Sequence, residues 1–196
     1  MKYQIGIDEV GRGPIVGPVA VGAFVFLDPK AKKIFRGVKE SKQLTEKNRE
    51  KWFAIINSTK RIGLIDFCVT FQSERIIDNR GLSYAIKNAL SKSLQELKID
   101  PKLATVLLDG GLKAPLEYKD QKTIIKGDEK EMVIALASIT AKVLRDRKMV
   151  KLGKKYPEYG FEIHKGYGTK NHYEAIKKYG LLKEHRRSFL GKIVLD

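Results

Sequence analysis

Ile7–Val19 reads IDEVGRGPIVGPV, and the fold is decided by what lies on either side of it. Upstream, residues 2–8 (KYQIGID) read as a short strand that ends on an acid. The centre, GRGPIVGP, is rich in turn residues. Downstream, Val19–Leu27 (VAVGAFVFL) is an apolar run of the length expected for a mostly buried strand. Residues 30–44 are polar and basic, a loop. Thr45 is placed to cap a helix running through Trp52 to about Ser58. Arg61–Phe71 is β-rich, and Gln72–Asn79 suits a short helix. Leu82–Leu97 repeats its apolar residues with a helical period. After Pro101, Leu103–Leu108 reads as a buried strand ending at Asp109-Gly110-Gly111. Gln121–Lys126 reads as another, ending at Gly127-Asp128. Glu129–Val150 is the longest helix, and its small residues (Ala135, Ala137, Ser138, Ala141) permit close approach to a neighbour. Residues 153–168 form a loop dense in Gly, Tyr and Lys. Asn171–Tyr179 and the stretch near Glu184–Leu190 suit two further short helices. Strands come early and helices thicken late, which indicates an α/β domain with an α-rich, basic C-terminal part.

At 196 residues, 42% hydrophobic and 9% aromatic, the chain can fill a real core, so disorder is excluded. Cys68 is the one cysteine, which excludes a disulfide framework and a cysteine-built zinc site and fits a reducing compartment. No secretory signal is visible, and no apolar run reaches the ~18 residues of a membrane span. The expectation is a cytoplasmic protein without a membrane partner. Lys and Arg number 39 against 23 Asp and Glu, a net charge of +16. Residues 142–192 concentrate it, with 15 basic residues against 5 acids. A Lys-rich surface can serve solubility, but a polyanionic partner, nucleic acid above all, is the sharper reading.

Against that basic background three strand-like segments end on acids: Asp8-Glu9, Asp109 and Asp128. Open α/β sheets place their sites at the carboxyl ends of strands, so acids from neighbouring strands would meet there. Carboxylates so placed repel unless a cation intervenes, and oxygen-only ligation suits Mg²⁺ or Mn²⁺. Two such ions ~3.5–4 Å apart form the recurring clamp of phosphodiester cleavage. Taken alone, Asp109-Gly110-Gly111 and Gly127-Asp128 read as turns; Asp8-Glu9, followed at once by Gly11-Arg12-Gly13, does not. The two glycines free the backbone for close contact with a ligand, and Arg12 offers a planar fork for phosphate.

Taken together these segments resemble ribonuclease HII, the type 2 ribonuclease H. IDEVGRGPIVGPV is similar to the family's opening Asp-Glu-Ala-Gly-Arg-Gly block, and ESKQL (Glu40–Leu44) to its Asp-Ser-Lys-x-Leu segment. LLDGG and KGDEKEMVIALASITAKVLRDR resemble the segments bearing the third and fourth acids. YPEYGFEIHKGYGTKNHYEAIKKYG and HRRSF resemble the C-terminal blocks. Val10 and Glu40 depart from the family's usual alanine and aspartate. The resemblance implies a ribonuclease H-like mixed sheet flanked by helices with a small helical C-terminal part. It divides the chain into a catalytic domain (residues 1–150) and a basic helical part that helps bind substrate (151–196). It implies a monomeric endoribonuclease acting on RNA/DNA hybrids and on ribonucleotide-containing duplex DNA. Asp8, Glu9, Asp109 and Asp128 would be the catalytic, metal-holding acids, with Mg²⁺ or Mn²⁺ in a two-metal site. Gly11, Arg12 and Gly13 would read the ribose 2′-hydroxyl and its phosphate. Tyr167 would stack on the sugar beyond the ribonucleotide, and Lys42 would contact a phosphate. Water would be the nucleophile, so cleavage would leave a 3′-hydroxyl and a 5′-phosphate.

Other residues have plainer readings. Asp146, between Arg145 and Arg147, reads as part of a helix-surface ion pair. His164, His172 and His185 are too scattered for a zinc site and read as loop or helix-surface residues. Among Tyr156, Tyr159, Tyr167, Tyr173 and Tyr179, the glycine-flanked Tyr167 is the one expected at the surface. Lysines 151, 154, 155, 165 and 170 suit phosphate contacts without sequence specificity. Two rivals stand beside the endoribonuclease: another nuclease of the same general fold, such as a junction resolvase, and a non-catalytic nucleic-acid-binding domain.

Overall fold

A computed structural model describes residues 2–191. Five strands form one mixed sheet in the order β3-β2-β1-β4-β5. They are β1 (Tyr3–Val10), β2 (Val19–Phe26), β3 (Ile65–Gln72), β4 (Ala104–Asp109) and β5 (Gln121–Ile124). β1 pairs antiparallel with β2 and parallel with β4, and β4 pairs parallel with β5. β1 runs two residues past the expected end, so Asp8 and Glu9 lie within the strand, opposite Gly22 and Val21 of β2.

Helices cover both faces. On one, α3 (Leu82–Glu96) packs Ala85, Ala89, Leu90 and Leu94 against Ile5, Ile7, Val21 and Val106. On the other lies α5 (Met132–Lys155), with α1 (Glu46–Arg61) beside it. α5 approaches closely because glycines face it from the sheet. A Cβ on Gly6 would stand 2.2 Å from the Val133 carbonyl carbon, and one on Gly22 2.5 Å from the Ala137 oxygen. Thr45 caps α1, accepting from the Asn48 N–H, and the helix runs on to Arg61, so β3 starts at Ile65 and not at Arg61. The loop at 30–44 contains a 3₁₀ turn, Pro29–Phe35, whose Phe35 joins the core under β2. Next come α2 (Glu74–Arg80) and, after β5, the single turn α4 (Gly127–Lys130).

Beyond α5, the stretch read as a loop contains a 3₁₀ turn at Pro157–Tyr159 and the short α6 (Phe161–His164). α7 (Lys170–Tyr179) follows, capped by Thr169. Near Glu184–Leu190 only Arg187–Phe189 is helical, as a 3₁₀ turn. These pieces build a third apolar cluster: Tyr159, Phe161, Ala175, Ile176 and Leu190 close over Ile15, Val16 and Met149. The C-terminal part is therefore packed onto the loop between β1 and β2. Among the described residues no helix is long and apolar enough to cross a membrane.

Candidate active site

The carboxyl ends of β1 and β4 lie side by side, because Ile7 pairs with Leu108 and the next residues are Asp8 and Asp109. Successive strand residues face opposite ways. Asp8 thus shares Gly6's face, under α5, while Glu9 shares the face of Ile5 and Ile7. Asp109 Oδ1 accepts the Gly127 N–H at 2.6 Å, which ties the β5–α4 turn to β4 and brings in Asp128. Asp8 and Asp128 are each 5% exposed. Burial drives the Asp8 pKa up to about 8; a Ser138 hydrogen bond opposes the rise, and the charges of Glu9, Asp109 and Asp128 add to it. Burial also raises Glu9, against the pull of Arg12, whose Nη1 donates to Glu9 Oε1 at 2.8 Å.

Two buried oxygens in this cluster, Glu9 Oε2 and Asp128 Oδ2, have no hydrogen-bond partner. Among the described residues no three His, Cys, Asp or Glu side chains form a finished metal cage. An all-oxygen set with unpartnered buried oxygens fits a hard divalent cation.

Around the acids stand the other expected residues. Gly11 has φ +93°, a left-handed conformation that glycine adopts freely. The Tyr167 ring is half-exposed, and its Cε1 lies 3.5 Å from where a Gly13 Cβ would stand. Arg12, Gly13 and Tyr167 therefore share one surface next to the acids. Lys42 is exposed, with Nζ 3.7 Å from Asp128 Oδ2. Burial works to lower the Lys42 pKa, but Asp128, Asp8, Glu40 and Asp109 outweigh it and raise it. Glu40 faces the same cluster, and burial followed by Asp128 raises its pKa.

The ribonuclease HII family model matches residues 5–192. The chain belongs to the ribonuclease HII family. Ribonuclease HII of Caldicellulosiruptor bescii is 44% identical over 193 residues, covering 98% of this chain and 89% of the relative. Ribonuclease HII of Bacillus cereus is 45% identical over 189 residues, covering 96% and 69%. Among solved structures, ribonuclease H2 of Pyrococcus horikoshii superposes with a TM-score of 0.71 at 31% identity, covering 95% of this chain and 93% of that one. Ribonuclease HII of Archaeoglobus fulgidus, solved in complex with PCNA, gives 0.74 at 25% identity and covers 94% of each chain. The fold is thus ribonuclease H-like and the protein a type 2 endoribonuclease.

Several interactions in and around this candidate site of the ribonuclease HII chain escaped the sequence reading. Ser138, read as a small packing residue of α5, hydrogen-bonds Ser41 Oγ at 2.7 Å and also reaches Asp8, joining the Glu40–Leu44 segment to the acids. Asp146 is buried and paired with Lys142 and Arg49, so the helix-surface reading fails for it. Arg145 is fully buried and bonds carbonyl oxygens, because α5 lies beneath the β1–β2 loop there.

The histidines are also corrected. His172 and His185 are buried, and His164 stacks on His172 at 4.5 Å between ring centroids. Their partners assign the protons. Leu182 N–H donates to His185 Nδ1, so His185 Nε2–H donates to His172 Nε2 at 3.1 Å, and His172 Nδ1–H donates to the Tyr167 carbonyl at 2.9 Å. Both rings are neutral in this relay, and burial lowers each pKa to about 4. A spacing of 13 residues between the two gives no periodic signal, so sequence reasoning had nothing to find.

Proposed function

We propose that this ribonuclease HII cleaves RNA/DNA hybrids and single ribonucleotides embedded in duplex DNA, leaving a 3′-hydroxyl and a 5′-phosphate. The observation that carries this reading is the cluster of Asp8, Glu9, Asp109 and Asp128, with two unpartnered buried oxygens, directly beside Arg12, Gly13 and Tyr167. Asp8, Glu9, Asp109 and Asp128 would hold Mg²⁺ or Mn²⁺. When bound, the metal supplies an activated water and charge for the leaving oxygen. The peptide groups of Gly11, Arg12 and Gly13 meet the 2′-hydroxyl and the adjacent phosphate at close range. The flat face of Tyr167 accepts the neighbouring deoxyribose, which a further 2′-hydroxyl would crowd. Lys42, exposed at the rim of the acid cluster, contacts a phosphate. The chain acts as a monomer in the cytoplasm, and its basic part, residues 151–196, supports a catalytic part formed by residues 1–150.

One assay tests this reading: a DNA duplex with one ribonucleotide, an all-DNA duplex and an RNA/DNA hybrid, each with Mg²⁺, Mn²⁺ or chelator. Cleavage of the first and third, with metal alone, is expected. Cutting of the all-DNA duplex would turn the reading to a resolvase. Tyr167→Ala is expected to slow the single-ribonucleotide reaction by roughly 10- to 150-fold, as loss of a stacking contact does, and to slow the hybrid reaction less. An unchanged ratio of the two rates would remove Tyr167 from junction reading.

A further inference from the structure

Two arginines lie wholly inside the protein beneath the β1–β2 loop, and the hydrogen bonds they make are to carbonyl oxygens. Arg186 donates through Nη2 to the Gly11 oxygen at 2.8 Å, through Nη1 to the Arg12 oxygen at 3.1 Å and through Nε to the Gly17 oxygen at 2.8 Å. Arg145 donates to Pro18 at 2.9 Å, to Lys165 at 3.1 Å and, at 3.5 Å, to Val16. Both are 0% exposed. An Arg buried without a carboxylate partner is costly, so its retention needs a use.

The geometry of the peptide bond supplies one. In a trans peptide the C=O and the following N–H point in opposite directions. Arg186 draws the carbonyls of Gly11 and Arg12 inward, and so turns the N–H groups of Arg12 and Gly13 outward. No backbone carbonyl takes either N–H among the described residues. Arg145 packs so tightly against Gly11 that a Cβ there would stand 2.2 Å from its Nε. Through the Lys165 oxygen it also ties the Tyr167 loop to the same base, and the Ile15 N–H adds a 2.9 Å bond to the Gly166 oxygen.

We propose that Arg145 and Arg186 are positioning residues that set the Arg12 and Gly13 N–H groups and the Tyr167 ring as one rigid reader of the substrate, backed by two buried positive charges. This rests on the proposed reading of a ribonucleotide by these groups. Neither arginine touches substrate; each acts through the carbonyls it holds.

Arg186→Lys tests it, since lysine keeps the charge but lacks the fork that spans three carbonyls. Single-turnover cleavage of the duplex with one ribonucleotide is measured against enzyme concentration. The rate constant at saturation is expected to fall roughly 10- to 100-fold, the scale of an ångström-sized misplacement. The half-saturating concentration is expected to change little, because surface Lys and Arg contacts set it. A merely structural defect would lower the amplitude and leave the rate constant of the folded molecules intact; that result, or an unchanged rate constant, overturns the proposal. Nitrogen-15 relaxation on the wild-type chain gives a check without any variant. Arg12 and Gly13 should show order parameters of about 0.85, as rigid backbone does, and values below about 0.6 would overturn the clamp. If the wild type itself leaves the ribonucleotide duplex uncut, the substrate reading fails, while the relaxation result still decides the clamp.

Discussion

Asp8 is held in a state that costs stability when no cation is present. Its carboxyl is buried and faces like charges from three other acids. Asp8→Asn is expected to abolish cleavage, to leave duplex affinity within about twofold, and to raise the melting temperature of the metal-free chain. Asparagine removes the cost of neutralising that buried carboxyl on folding, and a gain of about 1–2 kcal/mol corresponds to roughly 2–8 °C for a chain of this size. Asp109→Asn is expected to abolish cleavage too, without as large a rise, because Asp109 Oδ1 already accepts the Gly127 N–H. Cleavage assays, anisotropy titrations and calorimetry in chelator check the three expectations. A metal-free melting temperature below wild type for Asp8→Asn would contradict the electrostatic account.

Helix α7 and the loop before it carry a pH dependence of their own. His172 and His185 have pKa values of about 4 in the folded chain against 6.5 for a free imidazole. The unfolded chain therefore takes up protons first as pH drops. Their contribution is complete above pH 6.5 and is lost as pH falls toward 4, by on the order of 1.4 kcal/mol per pH unit for each histidine. Asp8, Glu9 and Glu40 act in the opposite sense, since a raised carboxyl pKa makes protonation stabilising as pH falls, so the histidine contribution is read as a difference between chains with and without the imidazole. The urea midpoint of the Asp8→Asn chain should fall, relative to that of the chain carrying Asp8→Asn and His172→Gln, as pH drops from 6.5 to 4. The same elements mark what the sequence made legible. Asp8 and Asp109 were expected at neighbouring strand ends, and the structure sets them side by side, although Asp8 and Glu9 lie within β1; the exposure of Tyr167 was readable because glycines flank it. Thr45 was readable as a cap because its role is local. The histidine relay, Ser138 and the buried arginines depend on contacts between elements far apart in the chain, and no local period encodes those. Gly6 and Gly22 illustrate the same limit: the small residues of α5 announced close packing, but its partner surface became visible only with the sheet assembled.

For the whole molecule, the net charge of +16 sets the terms on which it meets a duplex. Affinity should fall steeply with salt, as counterion release requires. Lys154 and Lys155, both exposed at the end of α5, should contribute to all duplexes alike. Replacing both with Glu is expected to weaken binding uniformly and to reduce the salt slope by about two units; loss confined to the ribonucleotide duplex would mean that these lysines read the substrate. The connectivity has one more consequence, which concerns synthesis. β1 leaves the ribosome first, but its parallel neighbour β4 starts only at Ala104 and Asp128 comes later still. The β1–β2 loop then waits for Arg186, whose bond to Gly11 spans 175 positions. At roughly 5–20 residues per second, that wait is on the order of ten seconds or more. A growing chain therefore carries Asp8 and Glu9 for that interval without the strand and turn that bring Asp109 and Asp128 beside them, and the β1–β2 loop lacks its internal support until Arg186 docks.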